Sequence, residues 1–264
     1  MTFETITYSL DEGLAVISLA RPKKRNAMDL RTFQELGEAS ERAASDPDVR
    51  GVLVLGEGPS FSAGIDLSAL AGLAAVGGDT DRFREFGRVA QRPYRTLAGM
   101  GKPAIAAVQG HALGAGFQLM LACDVRVAAS DAVFGVLEAR FGLIPDLGGL
   151  FHLVREIGPA REKELTWSAR TFDAAEAERL GLVSRVVDPD QLHDAGRELA
   201  REVLAHSPVT ARLVKGLASR ASQISLDAEL AEELEAQSAA ISSEDHREAV
   251  AAFLEKRQPR FQGR

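Results

Sequence analysis

The fold is decided by the stretch Pro103-Ala104-Ile105-Ala106-Ala107-Val108-Gln109-Gly110-His111-Ala112-Leu113-Gly114-Ala115-Gly116. Its apolar first half has the length and composition of a strand buried on both faces, and helical spacing follows from Phe117 to Ala122. A glycine-containing turn, residues 110–116, therefore joins the carboxyl end of a buried strand to a helix. Open α/β sheets bind ligands at that edge, and the free N–H groups that begin a helix favour negative charge.

The same order of elements recurs in the first 190 residues. The buried strand 51–55 leads into a second turn, Phe61-Ser62-Ala63-Gly64-Ile65-Asp66-Leu67. The spacing also predicts a hairpin from 6–10 and 14–19, helices at 30–44 and 82–98 (the latter kinked or broken at Pro93) and a strand at 125–128. Alternating strands and helices predict parallel pairing with right-handed crossovers, so the fold class is α/β.

Helical spacing dominates beyond Asp188, over residues 191–205, 208–221 and 227–256. We therefore predict an α/β core over residues 1–190 that contains the ligand site. A helical region over residues 191–264 is predicted to serve in oligomerisation, because amphipathic helices outside a core often form assembly surfaces.

Composition excludes several classes of function. The chain has 264 residues, a formal net charge of −7 and one cysteine, Cys123. The negative charge argues against a nucleic-acid partner, and no apolar run approaches the roughly 20 residues that span a membrane. The N-terminus lacks the pattern of a secretory signal, so we expect a cytoplasmic enzyme. The absence of C-x-x-C and H-E-x-x-H motifs predicts no metal site, and no G-x-S-x-G elbow is present.

The glycine-containing turns can be interpreted in more than one way. Gly114-Ala115-Gly116-Phe117-Gln118-Leu119 resembles a dinucleotide fingerprint, but Leu119 replaces its third glycine and no acidic residue closes the next strand. The two turns could place one N–H each on a single oxygen and so form an oxyanion hole, or they could be purely structural.

Downstream, the acids Glu138 and Asp146 lie in an apolar, glycine-rich segment, where burial would suit a carboxyl to proton transfer. Asp146 could instead cap the helix that begins near Gly148.

Several segments, in this order, resemble the enoyl-CoA hydratase/isomerase (crotonase) family, and together they span nearly the whole chain. They are Arg21-Pro22-Lys23-Lys24-Arg25-Asn26-Ala27-Met28, residues 61–67, residues 110–116, residues 134–149, Thr171-Phe172-Asp173-Ala174-Ala175-Glu176-Ala177, Gly181-Leu182-Val183 and Phe253-Leu254-Glu255-Lys256-Arg257. The resemblance implies a spiral of ββα units with a helical C-terminal trimerisation region, in a homotrimer or a dimer of trimers. It also implies an acyl-CoA thioester substrate and no separate cofactor, since coenzyme A is part of that substrate.

The resemblance also implies roles for single residues. The oxyanion donors are expected at the backbone N–H groups of Ile65 and Ala115. Coenzyme A is expected to lie along Ala63, Gly64, Asp66 and Leu67, with Ala27 and Gly114 lining the site. Its phosphates are expected near the basic turn formed by Lys23, Lys24 and Arg25. By composition alone, that basic turn could equally be a solvated surface. Phe253 and Lys256 match positions that can reach the nucleotide end of a neighbouring subunit's ligand.

One departure from the family changes the expected reaction. Hydratases of the family carry two glutamates; Glu138 matches the second, whereas Gln118, an amide that cannot exchange a proton near neutral pH, stands at the first. We therefore expect an isomerase that shifts a double bond with Glu138 as acid–base and Asp146 as helper or second acid. The alternatives are a hydratase in which Gln118 holds the water, and a non-catalytic acyl-CoA binding protein. Acyl length depends on residues 68–92, whose small residues, Gly77 and Gly78 among them, predict a flexible lid.

Overall fold

The strands and helices follow the predicted order. The computed structural model describes residues 3–75 and 79–264, so Gly77 and Gly78 of the predicted lid lie outside the described residues. The strands are β1 (Ile6–Asp11), β2 (Leu14–Leu19), β3 (Gly51–Gly56), β4 (Ala104–Val108), β5 (His111–Leu113), β6 (Val125–Ala129), β7 (Val133–Gly135), β8 (Thr171–Asp173) and β9 (Arg185–Val187). The helices are α1 (Leu30–Ser45), α2 (Leu67–Ala75), α3 (Thr80–Gly99), α4 (Ala115–Leu121), α5 (Gly149–Ser168, bent at Gly158), α6 (Ala174–Arg179), α7 (Leu192–Leu204), α8 (Pro208–Ala218), α9 (Leu226–Ser242) and α10 (Glu244–Glu255).

Two sheets organise the core. The larger sheet has the strand order β1-β2-β3-β4-β6-β9, in which β1 and β2 are antiparallel and the other neighbours are parallel. The smaller sheet has the order β5-β7-β8. A strand of the large sheet, a strand of the small sheet and a helix follow one another twice, as β4-β5-α4 and β6-β7-α5. This confirms the predicted ββα spiral, although the short strands β5 and β7 were not predicted.

The large sheet is covered on both faces, which explains its continuously apolar strands. Along β3, Val52 and Val54 belong to one hydrophobic cluster, and Leu53 and Leu55 belong to the other. The second cluster is closed by α7, which packs on β3, β4 and β6. The predicted helical region 191–264 thus begins with a helix that completes the core.

One local prediction was wrong, and of the kink or break predicted at Pro93 the break does not occur. Residues 227–256 form two helices, because Ser243 takes an extended backbone and its hydroxyl accepts the N–H of His246 to begin α10. Helix α3 also continues through Pro93 rather than breaking there. A proline inside a helix costs about 3 kcal/mol, but α3 packs along the length of α1, with Phe33 and Phe86 in edge-to-face contact, and this packing holds it helical. None of the described helices is both long and apolar enough to cross a membrane.

Candidate functional site

The two glycine-containing turns are joined side by side. The Ser62 N–H donates to the carbonyl of His111 at 2.7 Å, and the Leu113 N–H donates to the carbonyl of Ser62 at 3.0 Å. The approach is so close that a Cβ on Gly116 would lie 2.6 Å from the Cβ of Ser62. Glycine is therefore needed at 116 because the two turns pack against each other there. In a dinucleotide site the same glycine would instead make room for the ligand.

The two predicted donors lie next to each other where the turns meet. A Cβ built on Gly64 would lie 3.5 Å from the nitrogen of Ala115, so Ile65 and Ala115 are close neighbours. Within the described residues, neither the Ile65 nor the Ala115 N–H has an acceptor, whereas the N–H groups of Gly64, Asp66 and Gly114 are bonded. Gly114, which precedes Ala115, adopts φ +50° and ψ −120°, a conformation open to glycine. The free N–H of Ile65 in the first turn and that of Ala115 at the start of α4 can together bind one oxygen that carries negative charge.

Gln118 and Glu138 are in direct contact. Gln118 lies on α4, and its Nε2 donates to Glu138 Oε1 at 2.7 Å. Its Oε1 accepts the backbone N–H groups of Leu147 at 2.8 Å and Gly149 at 3.0 Å. Because backbone N–H groups can only donate, these contacts fix which end of the amide faces Glu138. A Cβ on Gly149 would lie 2.8 Å from Gln118 Cγ, which explains the glycine there.

The other oxygen of Glu138 is free. Glu138 Oε2 is buried and has no hydrogen-bond partner among the described residues. Burial raises the pKa of this carboxyl above its usual value, the Gln118 hydrogen bond opposes that rise, and the charge of Asp146 adds to it. The carboxylate faces the turn, because a Cβ on Gly114 would lie 3.5 Å from Glu138 Oε1. An unpaired carboxyl oxygen with a raised pKa, beside two free N–H donors, can move protons next to a carbonyl held by those donors.

Asp146 lies beside this pair but does not cap the following helix. Within the described residues, α5 begins at Gly149 after Gly148 and receives no cap from the Asp146 side chain, so the capping interpretation was wrong. Asp146 is exposed and borders a cavity of about 1000 Å³ that extends from Tyr94 to α8. Desolvation by the protein atoms around its carboxyl raises its pKa. Asp146 is thus a second acid near Glu138, on the side of the cavity.

The predicted coenzyme A positions adjoin the first turn. Lys23, Lys24 and Arg25 are exposed, and the Arg25 carbonyl accepts the N–H of Ala63 at 2.8 Å, which places the basic turn against residues 63–67. Leu67, at the start of α2, is 74 % exposed. Ala27 is partly buried, and its neighbour Met28 forms a bridge with Ile65.

Asp66 has a structural role in the same turn. It is 4 % exposed; its Oδ2 accepts from Arg21 at 3.0 Å, and its Oδ1 accepts the N–H of Ser68 at 3.0 Å. The Ser68 hydrogen bonds lower the pKa of this carboxyl, with smaller effects from Lys24 and Arg21. Its carboxylate therefore stabilises the turn.

Phe253 and Lys256 lie elsewhere, on the C-terminal helix α10 and at its end. Phe253 is 83 % exposed, and α10 packs against α9. Their contact with a neighbouring subunit's ligand stays a prediction. Among the described residues, no three His, Cys, Asp or Glu side chains are grouped as metal ligands.

Three features of this site were not predicted from the sequence. They are the N–H groups of Leu147 and Gly149, the side chain of Arg21, and the side chain of Tyr94, which donates to the carbonyl of Ala115 at 3.0 Å. The glycine pair Gly148-Gly149 in the sequence could have indicated the first of these, the two backbone N–H groups. A tyrosine in an amphipathic helix carries no signal for the last, because its partner is distant in sequence.

Comparison with known proteins agrees with this geometry. The family model described as enoyl-CoA hydratase/isomerase matches residues 9–264. The chain is 37 % identical over 262 residues to the crotonyl-CoA hydratase of Syntrophomonas wolfei, covering 99 % of each chain. The enoyl-CoA hydratase of Bacillus anthracis superposes with a TM-score of 0.92 at 32 % identity, covering 99 % of this chain and 100 % of the other. A Thermobifida fusca protein solved in complex with CoA gives a TM-score of 0.84 at 37 % identity, covering 90 % and 93 %. This chain belongs to the enoyl-CoA hydratase/isomerase family and has the crotonase fold.

Proposed function

We propose that this chain adds water across the double bond of a 2-enoyl-CoA thioester, with Glu138 as the only proton-exchanging group at the reacting carbons. The observation that carries the proposal is the buried, unpartnered Glu138 Oε2 beside the two free N–H groups. Hydration, rather than the isomerisation expected from the sequence, is favoured because full-length relatives are named as hydratases. The CoA complex of the Thermobifida fusca protein supports the ligand class.

The proposed steps use one carboxyl twice. The thioester oxygen accepts the N–H groups of Ile65 and Ala115, each worth about 3–4 kcal/mol in the transition state. Glu138 Oε2 takes a proton from water while the water oxygen bonds to C3, and the double-bond electrons move to form the enolate. The enolate then reforms its carbonyl as C2 takes the proton back from Glu138. One water is added, and the carboxylate is regenerated.

In this scheme Gln118 holds Glu138 and the water without exchanging a proton. Its oxygen is fully used by the N–H groups of Leu147 and Gly149, and one of its two N–H bonds goes to Glu138. The second N–H of the amide can donate to the oxygen of the attacking water. Gln118 therefore serves as a fixed donor, and proton movement falls to Glu138 alone.

Double-bond isomerisation is the second candidate, and the amide at 118 is the observation that favours it. A 3-enoyl-CoA needs only one base, which takes a proton from C2 and returns it to C4 while the same two N–H groups hold the dienolate. Asp146 would serve a proton transfer farther along the acyl chain, as a dienoyl substrate requires.

Separate incubation with 2-enoyl-CoA and 3-enoyl-CoA, followed by mass analysis, distinguishes the two reactions. Hydration adds one water to the 2-enoyl substrate; isomerisation alone leaves the mass of the 3-enoyl substrate unchanged while its double bond becomes conjugated. Glu138→Gln should abolish either reaction and keep acyl-CoA binding, whereas Glu178→Gln, the same change at an exposed position, should keep both. Full activity of Glu138→Gln would refute the assignment, and binding with no turnover of any enoyl-CoA by the wild type would leave only a binding protein.

A further inference from the structure

Tyr94 is a buried polar side chain that touches the site from behind. It lies on α3 and is 3 % exposed. Its hydroxyl donates to the carbonyl of Ala115 at 3.0 Å. Ala115 supplies one of the two free N–H groups, so Tyr94 fixes the residue that carries that donor.

The same hydroxyl reaches the other turn through Met28. Tyr94 Oη lies 3.9 Å from Met28 Sδ. The Met28 N–H donates to the carbonyl of Gly64 at 2.7 Å, and the Met28 carbonyl accepts the N–H of Asp66 at 2.8 Å. These two bonds flank Ile65, the second donor residue, on both sides.

We infer that Tyr94 is a positioning residue of the oxyanion hole, which fixes the Ala115 and Ile65 donors relative to each other from one hydroxyl group. The inference rests on the proposed function, because it assumes that these two N–H groups bind the thioester oxygen. The Tyr94 hydroxyl is buried behind the turns, where it bonds to the carbonyl of Ala115 and not to its N–H.

The hydroxyl is suited to this task because it remains a donor. Burial raises the pKa of Tyr94 well above its usual value, and the charges of Glu138 and Asp146 raise it further. Replacing Tyr94 with phenylalanine keeps the ring and removes only the hydroxyl. The Ala115 carbonyl then keeps its ordinary helical acceptor role in α4, so no buried group is left without a partner.

The chain offers a matched control in its other tyrosine. Tyr8 is a strand residue whose hydroxyl is buried and has no partner among the described residues. Tyr8→Phe removes the same atom without breaking a hydrogen bond and should leave the reaction unchanged. Thermal melting and gel filtration of both variants establish that they are folded, and Met28→Leu tests the second contact independently.

The test is the infrared carbonyl stretch of bound butanoyl-CoA labelled with ¹³C at the thioester carbonyl. This saturated probe can be neither hydrated nor isomerised, so it reports the hole whatever the reaction. In the wild type and Tyr8→Phe, binding should lower the stretch relative to free butanoyl-CoA. In Tyr94→Phe the shift should be smaller, and kcat should fall about 10-fold with little change in KM, less than the 10²–10³-fold cost of removing a donor.

The outcomes separate the inference from the proposed function. A full carbonyl shift in Tyr94→Phe, or a loss confined to KM or to thermal stability, overturns the positioning role while the oxyanion hole stands. A wild-type protein that binds butanoyl-CoA without any shift overturns the hole and the inference together. A reduced shift in Tyr94→Phe and in Met28→Leu, with Tyr8→Phe unchanged, supports the inference.

Discussion

Gln118→Glu places two carboxyl groups in contact and gives a pH dependence that the wild type should lack. In the wild type, Gln118 Nε2 donates to Glu138 Oε1 at 2.7 Å. A carboxylate at 118 could still accept the N–H groups of Leu147 and Gly149, so the start of α5 should keep its cap. The atom facing Glu138 would then be an acceptor, and the pair could make the contact only by sharing a proton.

The size of the effect follows from the contact. Two carboxylate charges in such a contact lie roughly 4 Å apart, where their repulsion is about 4 kcal/mol at an effective dielectric constant of ~20. At 1.36 kcal/mol per pKa unit, this separates the two ionisations of the pair by about 3 units. The pair should therefore lose its second proton about 3 pH units above the first, close to neutral pH rather than in the acid range.

The assay is the pH profile of kcat/KM, followed by loss of the conjugated thioester absorbance of a 2-enoyl-CoA. The wild type should rise through one acid limb, as Glu138 loses its proton, and then stay level. Gln118→Glu should give a bell, because the doubly charged pair repels the negative charge of the enolate. Gln191→Glu adds the same charge at an exposed position outside the cavity and should move the profile by less than about 1 unit. A wild-type profile in Gln118→Glu would refute the contact between residues 118 and 138 in the working enzyme.

Four further predictions concern protein stability, the choice between enoyl-CoA and dienoyl-CoA substrates, and oligomer assembly. Burial holds the pKa of Glu138 above its value in the unfolded chain, so the free energy of unfolding of the wild type falls as pH rises between the two values. In denaturant titrations, the stability of Glu138→Gln relative to the wild type should therefore increase from acid to neutral pH. Gly116→Ala should cost about 1–3 kcal/mol and lower activity, since its Cβ meets the backbone of the other turn, whereas Gly87→Ala in α3 should gain up to about 1 kcal/mol. Asp146→Asn should spare 3-enoyl-CoA turnover and reduce that of dienoyl-CoA substrates, compared by mass analysis. Leu234 is 70 % exposed on α9, and Leu234→Glu should weaken the predicted trimer in sedimentation experiments.

Each of these predictions has a clear contrary result. A constant stability difference between wild type and Glu138→Gln at all pH values would mean that the carboxyl is not desolvated. An unaffected Gly116→Ala would mean that the turns are not interlocked, and equal losses with both substrates would make Asp146 a general contributor. A wild type that sediments as a monomer would remove the trimer prediction itself.

The sequence was sufficient for elements whose cause is local. The continuous apolar run of β3 and the turn that leads from β4 into α4 predict both strands and the edge where the donors lie. The residues that supply the free N–H groups, Ile65 and Ala115, could be placed by resemblance, because the two motifs are ordered and glycine-rich.

What could not be predicted depends on groups that meet only after folding. Strands β5 and β7 have three residues each, and the pairing of β5 with β7 and of β7 with β8 arises from tertiary context rather than from periodicity. The hydroxyl of Tyr94 meets a carbonyl 21 positions away, and the amide of Gln118 meets N–H groups 29 and 31 positions away. Spacing rules cover contacts within one helix or hairpin, and none of these is such a contact.

The amide at 118 also suits the proposed role of Glu138 as a base. The first N–H groups of α5 need acceptors, and Gly148 has no side chain to supply one, so the oxygen of Gln118 caps the helix from α4. The opposite end of the same amide must be a donor, and it holds Glu138 in place. A carboxylate at 118 could accept the same N–H groups of α5 equally well, but it would place a second negative charge next to Glu138. Because an amide has one accepting and one donating end, it meets both requirements and leaves the ionisation of Glu138 free of a second charge at 118.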